Sequence, residues 1–159
     1  HTVMQDVFSG VLFVLGFFLF AYRGYEPIDN NIADFGGVFA LGVAIFPNNS
    51  EFWWIGKLHF ACAALMFVVF VIFSLYLFRK KGSADEDVEL YSWGKKMRRK
   101  VYLFCGIMMI IFLIAIVVSF QFIESEFRDD NNLVYWFETG ALVFFGISWI
   151  TKAKVWLKG

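Results

Sequence analysis

Five long apolar stretches separated by polar breaks set the pattern of this chain. The first runs over 4–22, with VFSGVLFVLGFFLFAY at its centre; the others cover 30–46, 53–78, 101–122 and 133–150. Each is near the ~20 residues that cross a hydrocarbon layer of ~30 Å as an α-helix. The pattern predicts an all-α integral membrane helical bundle of about five transmembrane helices. It reads as one transmembrane domain over 1–159, with a longer loop at 79–100. The second stretch is short and is interrupted by Asp34 and by the pair Gly36-Gly37, which could mark a broken helix.

The basic residues orient the bundle. Twelve of the fourteen lysines and arginines fall on one side: Arg23, those of loop 79–100, and Lys152, Lys154 and Lys158 in the tail. Cytoplasmic segments carry such an excess, so loop 79–100 and the C-terminus are expected inside and the N-terminus outside. Aromatic residues at the expected boundaries, among them Trp53, Trp54, Tyr135 and Trp136 on one side and Trp93 and Tyr102 on the other, suit the two interfaces. Within the loop, Ser83–Glu86 fits a capping box that would open a short helix.

Composition agrees. The chain of 159 residues is 60% hydrophobic, with 22 phenylalanines and a mean hydropathy of +0.65, more apolar surface than one small aqueous core can hide. Its formal net charge of zero gives no electrostatic case for nucleic acid. Cys62 and Cys105 lie inside apolar stretches and are expected to be free thiols. The chain starts at His1 rather than methionine, so an upstream helix is an open expectation.

Polar residues inside the apolar stretches are the candidates for chemistry, because an ionisable group at a membrane helix centre costs ~2.5–3.5 kcal/mol. Several fall at similar depth near the outer side. Asp6 sits at the end of the first stretch with His1 about a turn beyond it. His59 lies ~9 Å into the third stretch and Glu138 ~8 Å into the fifth. Ser119, Gln121 and Lys57 accompany them. One reading is structural: these groups pair, reach water or hold a headgroup. The other is a zinc or acid–base site built from His59, Glu138, Asp6 and His1, whose metal-bound hydroxide would attack a lipid ester or amide. No His-x3-His, His-Glu-x2-His or Gly-x-Ser-x-Gly motif accompanies it, and the catalytic residues stay unassigned. On the inner side Asp34, beside Asn30 and Asn31, is expected one turn into its helix, where it would stabilise the helix N-terminus.

Small residues give the helices faces for close packing, within the chain or against a protein partner or a second copy. Gly36, Ala40 and Ala44 form one such stripe; Ala115 and Ser119 form another.

The stretches HTVMQDVFSGVLFVLGFFLFAYRGY, FALGVAIFP, IGKLHF and FETGALVFFGISW resemble a family of small multi-pass bacterial membrane proteins without assigned function. That resemblance implies a bacterial inner membrane, and the family label carries no activity with it. A more distant similarity is to the seven-helix membrane hydrolases that include alkaline ceramidases and adiponectin-type receptors. It would imply zinc, with His1 and Asp6 echoing the early ligands. The last helix, however, offers Glu138 and no histidine pair, and two helices are lacking. Three functions follow in order: a non-catalytic accessory or lipid-binding component, a metal-assisted lipid hydrolase, and a small transporter.

Overall fold

The computed structural model of the protein describes residues 3–48, 52–80 and 93–153. Its elements are α1 (Val3–Ala21), α2 (Pro27–Ile45), α3 (Trp53–Leu75), a 3-10 turn (Leu77–Arg79), α4 (Trp93–Phe122), α5 (Ser125–Asp130) and α6 (Leu133–Lys152). All are helical, and no strand occurs among the described residues. Three segments are long and apolar enough to cross a membrane: Trp53–Arg79 with 27 residues, Lys96–Phe122 with 27, and Leu133–Lys152 with 20. At ~1.5 Å per residue they reach about 40, 40 and 30 Å. The apolar part of α1, Asp6–Ala21, is shorter, and α2, which carries Asp29 and Asp34, is not among the three.

Several boundaries differ from the apolar pattern, each for a local reason. α4 starts at Trp93 instead of 101, because lysine and arginine are good helix formers and carry the helix past the apolar zone. Loop 79–100 is therefore helical in its last part. α2 starts at Pro27 instead of 30: proline at the first helical position loses an N–H that had no partner there anyway. α3 ends at Leu75, and the chain tightens into the 3-10 turn that ends at Arg79. α5 has six residues and no apolar periodicity to announce it. The run 83–86 lies outside the described residues.

The chain forms two compact units, 1–70 and 71–159, and α3 runs through the division. In the first unit α1 packs along α2, with a close approach at Gly16 and Gly37. A Cβ on Gly37 would stand 3.0 Å from the Gly16 carbonyl oxygen and 3.0 Å from the Phe20 ring. Elsewhere along α2, a Cβ on Gly36 would meet Val69 at 2.8 Å and one on Gly42 the Cys62 sulfur at 2.7 Å, both on α3. Adjacent glycines point ~100° apart around a helix, so α2 lies between two neighbours and touches each at backbone distance. The helix is continuous through Gly36-Gly37. The pair marks two close approaches, and the break it could have marked does not occur. Gly36 and Ala40 of the small-residue stripe are buried, Ala44 half-buried.

In the second unit α4 packs along α6. The Ser74 hydroxyl donates to Ser148 Oγ at 2.8 Å, both side chains buried, and the Cys105 thiol lies within hydrogen-bonding reach of Ser148. One buried polar node thus ties the end of α3 to α4 and α6. Beside it Phe73, Phe78, Tyr102, Phe145 and Trp149 form a cluster of rings, with centroids 5.0 Å apart for Phe78 and Trp149 and 6.1 Å for Phe73 and Phe145. Such pairs add ~0.5–1.5 kcal/mol beyond their buried area. Both cysteines are free thiols.

Candidate functional site

The α1–α2 connection accounts for the polar residues at that end of the first unit. Arg23 Nη1 donates to the carbonyls of Phe20 (2.9 Å) and Tyr22 (2.8 Å), satisfying groups that the end of α1 leaves without helical partners. Asp29, only 1% exposed, accepts from the backbone N–H of Tyr25 at 3.1 Å and of Glu26 at 3.2 Å. Asn30 Oδ1 accepts from Gly24 N–H at 2.8 Å. A Cβ on Gly24 would run into the Asp29 side chain, so this turn closes only around glycine. Asp29 is the acid that stabilises the α2 N-terminus. Asp34, given that part by the sequence pattern, lies about two turns in, because the helix starts earlier. It instead stands 3.9 Å from Arg23 in an exposed ion pair, a contact worth little in water.

The opposite end of α2 is held by His59. Its Nδ1 lies 2.6 Å from the carbonyl oxygen of Phe46, the residue that caps α2. A carbonyl can only accept, so Nδ1 is the donor here and carries a proton. The connection presses close here: a Cβ on Gly56 would meet the Asn48 carbonyl oxygen at 3.0 Å. Lys57 places its ammonium 4.4 Å from the centroid of the Trp53 ring, one turn earlier on the exposed side of α3. That cation–π contact satisfies it where the helix leaves the apolar zone. Asp6 is exposed in the first turn of α1, and His1 lies outside the described residues.

In the second unit two contacts fix the antiparallel register of α4 and α6. Cys105 stands beside Ser148, and a Cβ on Gly140 would meet the Phe112 ring at 2.7 Å. Carried further, that register sets Glu138 level with Ile114 and Ala115, and Ser119 level with Leu133. Ser119 therefore lies ~6–8 Å along α4 from the level of Glu138. Its hydroxyl donates to its own helix, to the Ile116 carbonyl at 2.7 Å. Gln121 is exposed. The expected layer of polar groups at one depth does not form between α4 and α6.

Glu138 sits differently. The packed face of α6 runs through Ala141, Phe145, Ser148 and Thr151, and the same spacing leads back to Glu138, which is half-buried. Among the described residues its carboxylate has no hydrogen bond or ion pair. The neighbouring Thr139 Oγ1 is buried and also lacks a partner among the described residues.

Among the described residues no three His, Cys, Asp or Glu side chains gather into a group that could hold a metal ion. His59 belongs to the first unit and Glu138 to the second. The apolar pattern missed Asp29, whose signal is the run Glu26-Pro27-Ile28-Asp29: proline at the helix start and an acid two residues on. It also missed the Ser74–Ser148–Cys105 node, since isolated small polar residues in apolar helices have no sequence signature of their own. No family model, curated protein or solved structure matches the chain.

Proposed function

We propose that this chain is a non-catalytic, multi-pass component of a bacterial inner membrane. Its N-terminus lies outside, and its basic helix start and C-terminus lie in the cytoplasm against lipid headgroups. The carrying observation is His59: the one histidine in the apolar helices spends its N–H on the end of α2. Ser119 and Asp29 are spent in the same way, on backbone groups next to them. These are helix-fixing roles, and they account for His59, Ser119 and Asp29 without a reaction.

Replacing His59 tests this reading directly. Asparagine can place an amide N–H where Nδ1–H now stands, whereas glutamine mimics Nε2 instead. His59→Ala should cost about 1–3 kcal/mol by stranding the Phe46 carbonyl. His59→Asn should recover most of that loss and His59→Gln little. The detergent-purified protein should hold no stoichiometric zinc. Zinc at one equivalent, lost in His59→Ala and better kept by His59→Gln than by His59→Asn, would replace this reading with the metal-assisted lipid hydrolase.

A further inference from the structure

The end of the second unit away from α5 gathers cations around a buried ring. Phe78 packs against Tyr102 at 5.6 Å and Trp149 at 5.0 Å. Each element that delivers one of these rings also delivers a cation beside it. Arg79 follows Phe78 in the 3-10 turn. Arg98 stands one helical turn before Tyr102 on α4 and is only 7% exposed. Lys152 follows Trp149 on α6, with its ammonium 5.8 Å from the Phe78 centroid. Lys80 lies over Tyr76 at 5.1 Å.

Arg79 is the informative member. A guanidinium carries about five N–H donors. Here Nη1 donates to the Leu75 carbonyl at 3.3 Å, while Nε is buried with no partner among the described residues. A buried donor left unmatched costs ~1–3 kcal/mol, more on a charged group. What completes it must bring acceptor oxygens and negative charge. The described carboxylates of this unit do neither here, because they lie at Glu124, Glu126, Asp129, Asp130 and Glu138, in and around α5 and at the start of α6.

We propose that Arg79, at the ring cluster that Arg98 and Lys152 also flank, binds the phosphate of an anionic phospholipid headgroup. A planar guanidinium fork beside further cations suits a tetrahedral phosphate. The location favours a lipid over a soluble anion. Arg79 closes a 27-residue apolar segment, and Leu103, Phe104 and Ile107 stand exposed on α4 within the three turns beyond Arg98. Acyl chains below a bound headgroup would cover that surface. The first turn of α4 also holds no acid. Cations near a helix N-terminus lose ~0.3–1 kcal/mol each to the helix dipole. An anionic leaflet returns ~1 kcal/mol for each. The inference rests on the membrane reading and is independent of whether the protein is catalytic.

The test uses delipidated protein in neutral detergent, titrated with phosphatidylglycerol, with phosphatidylcholine of the same chains, or with inorganic phosphate. Melting temperature and lipids retained in native mass spectra are the readouts. Phosphatidylglycerol should raise the melting temperature and remain as one bound lipid, phosphatidylcholine should not, and millimolar phosphate should have little effect. Arg79→Gln should weaken phosphatidylglycerol at least ten-fold, read as loss of the lipid-induced rise in melting temperature above that variant's own lipid-free value. Arg79→Lys, which keeps the charge and loses the fork, should weaken it several-fold. Equal responses to both lipids, or an undiminished response in both variants, would overturn the proposal. A phosphate effect equal to that of the lipid would reassign the site to a soluble anion. The acidic stretch Asp85, Glu86, Asp87 and Glu89 is the competing occupant. If neutralising all four lowered stability and tightened phosphatidylglycerol binding, that stretch would be the ligand instead.

Discussion

Alanine at Gly37 and at Gly146 are the same chemical change with opposite expected results. Both glycines are inside helices, and alanine is favoured over glycine there by about 1 kcal/mol. At Gly146 nothing lies within 4 Å of the added methyl, so that gain should appear as stabilisation. At Gly37 the methyl would stand 3.0 Å from the Gly16 carbonyl oxygen and 3.0 Å from Phe20. The Phe20 ring can tilt, but a backbone oxygen moves only with its helix, so α1 and α2 must part along their crossing. Overpacking of this kind costs ~1–3 kcal/mol. The two variants should then differ by about 2 kcal/mol, roughly thirty-fold in the folded-to-unfolded ratio. Gly16→Ala with Gly37→Ala should cost less than the sum of the two, because helices already parted meet the second methyl more easily. Reversible unfolding in mixed micelles of increasing sodium dodecyl sulfate, followed by tryptophan fluorescence, gives these differences. Gly37→Ala as stable as Gly146→Ala would refute the backbone contact.

Two further outcomes follow from the same geometry. Asp29→Ala removes a carboxylate that accepts two backbone N–H groups, each such bond being worth ~1.5–3 kcal/mol; it should cost about 3 kcal/mol in the same unfolding assay, and Asp29→Asn should cost less because one oxygen remains. Single cysteines placed at Lys100 and Ser125 of a variant without Cys62 and Cys105 should react with an impermeant maleimide from opposite faces of the membrane, and labelling of both from one face would overturn the proposed orientation.

The helices were legible because hydrocarbon imposes a length and a polarity that a sequence must obey. The five apolar stretches correspond to α1, α2, α3, α4 and α6 within a few residues, except where the helix outran the apolar zone. α4 shows why. Residues 93 to 100 are too polar to register in hydropathy, yet they form good helix, so the helix boundary and the apolar boundary separate. The candidate site was less legible, since depth along a helix says nothing of direction around it. Ser119 and Glu138 share a depth when counted from their helix ends, but the α4–α6 register sets them on different levels. His59 was found by its chemistry, and its bond to Phe46 depends on a connection whose path no pattern encodes. Asp34 was misplaced by three residues of helix start; once Pro27 is the first residue, Asp29 takes the acidic position at the helix N-terminus.

Glu138 is the residue that the helix-fixing account leaves over, and so it is where that account can be pressed hardest. It continues the packed face of α6, yet no described group bonds its carboxylate, and Thr139 beside it is also unmatched. A polar group held among apolar neighbours without a partner is a cost, and an ionisable one in a membrane helix is a cost of up to ~2.5–3.5 kcal/mol. If the folded protein uses Glu138 for nothing, Glu138→Leu should stabilise it by about 1–2 kcal/mol in micellar unfolding, with Glu138→Gln between the two. Were Glu138→Leu instead to lose stability while Glu138→Gln kept it, the carboxyl would be hydrogen-bonding something that the described residues do not supply, and the structural account of this membrane protein would fail at that residue.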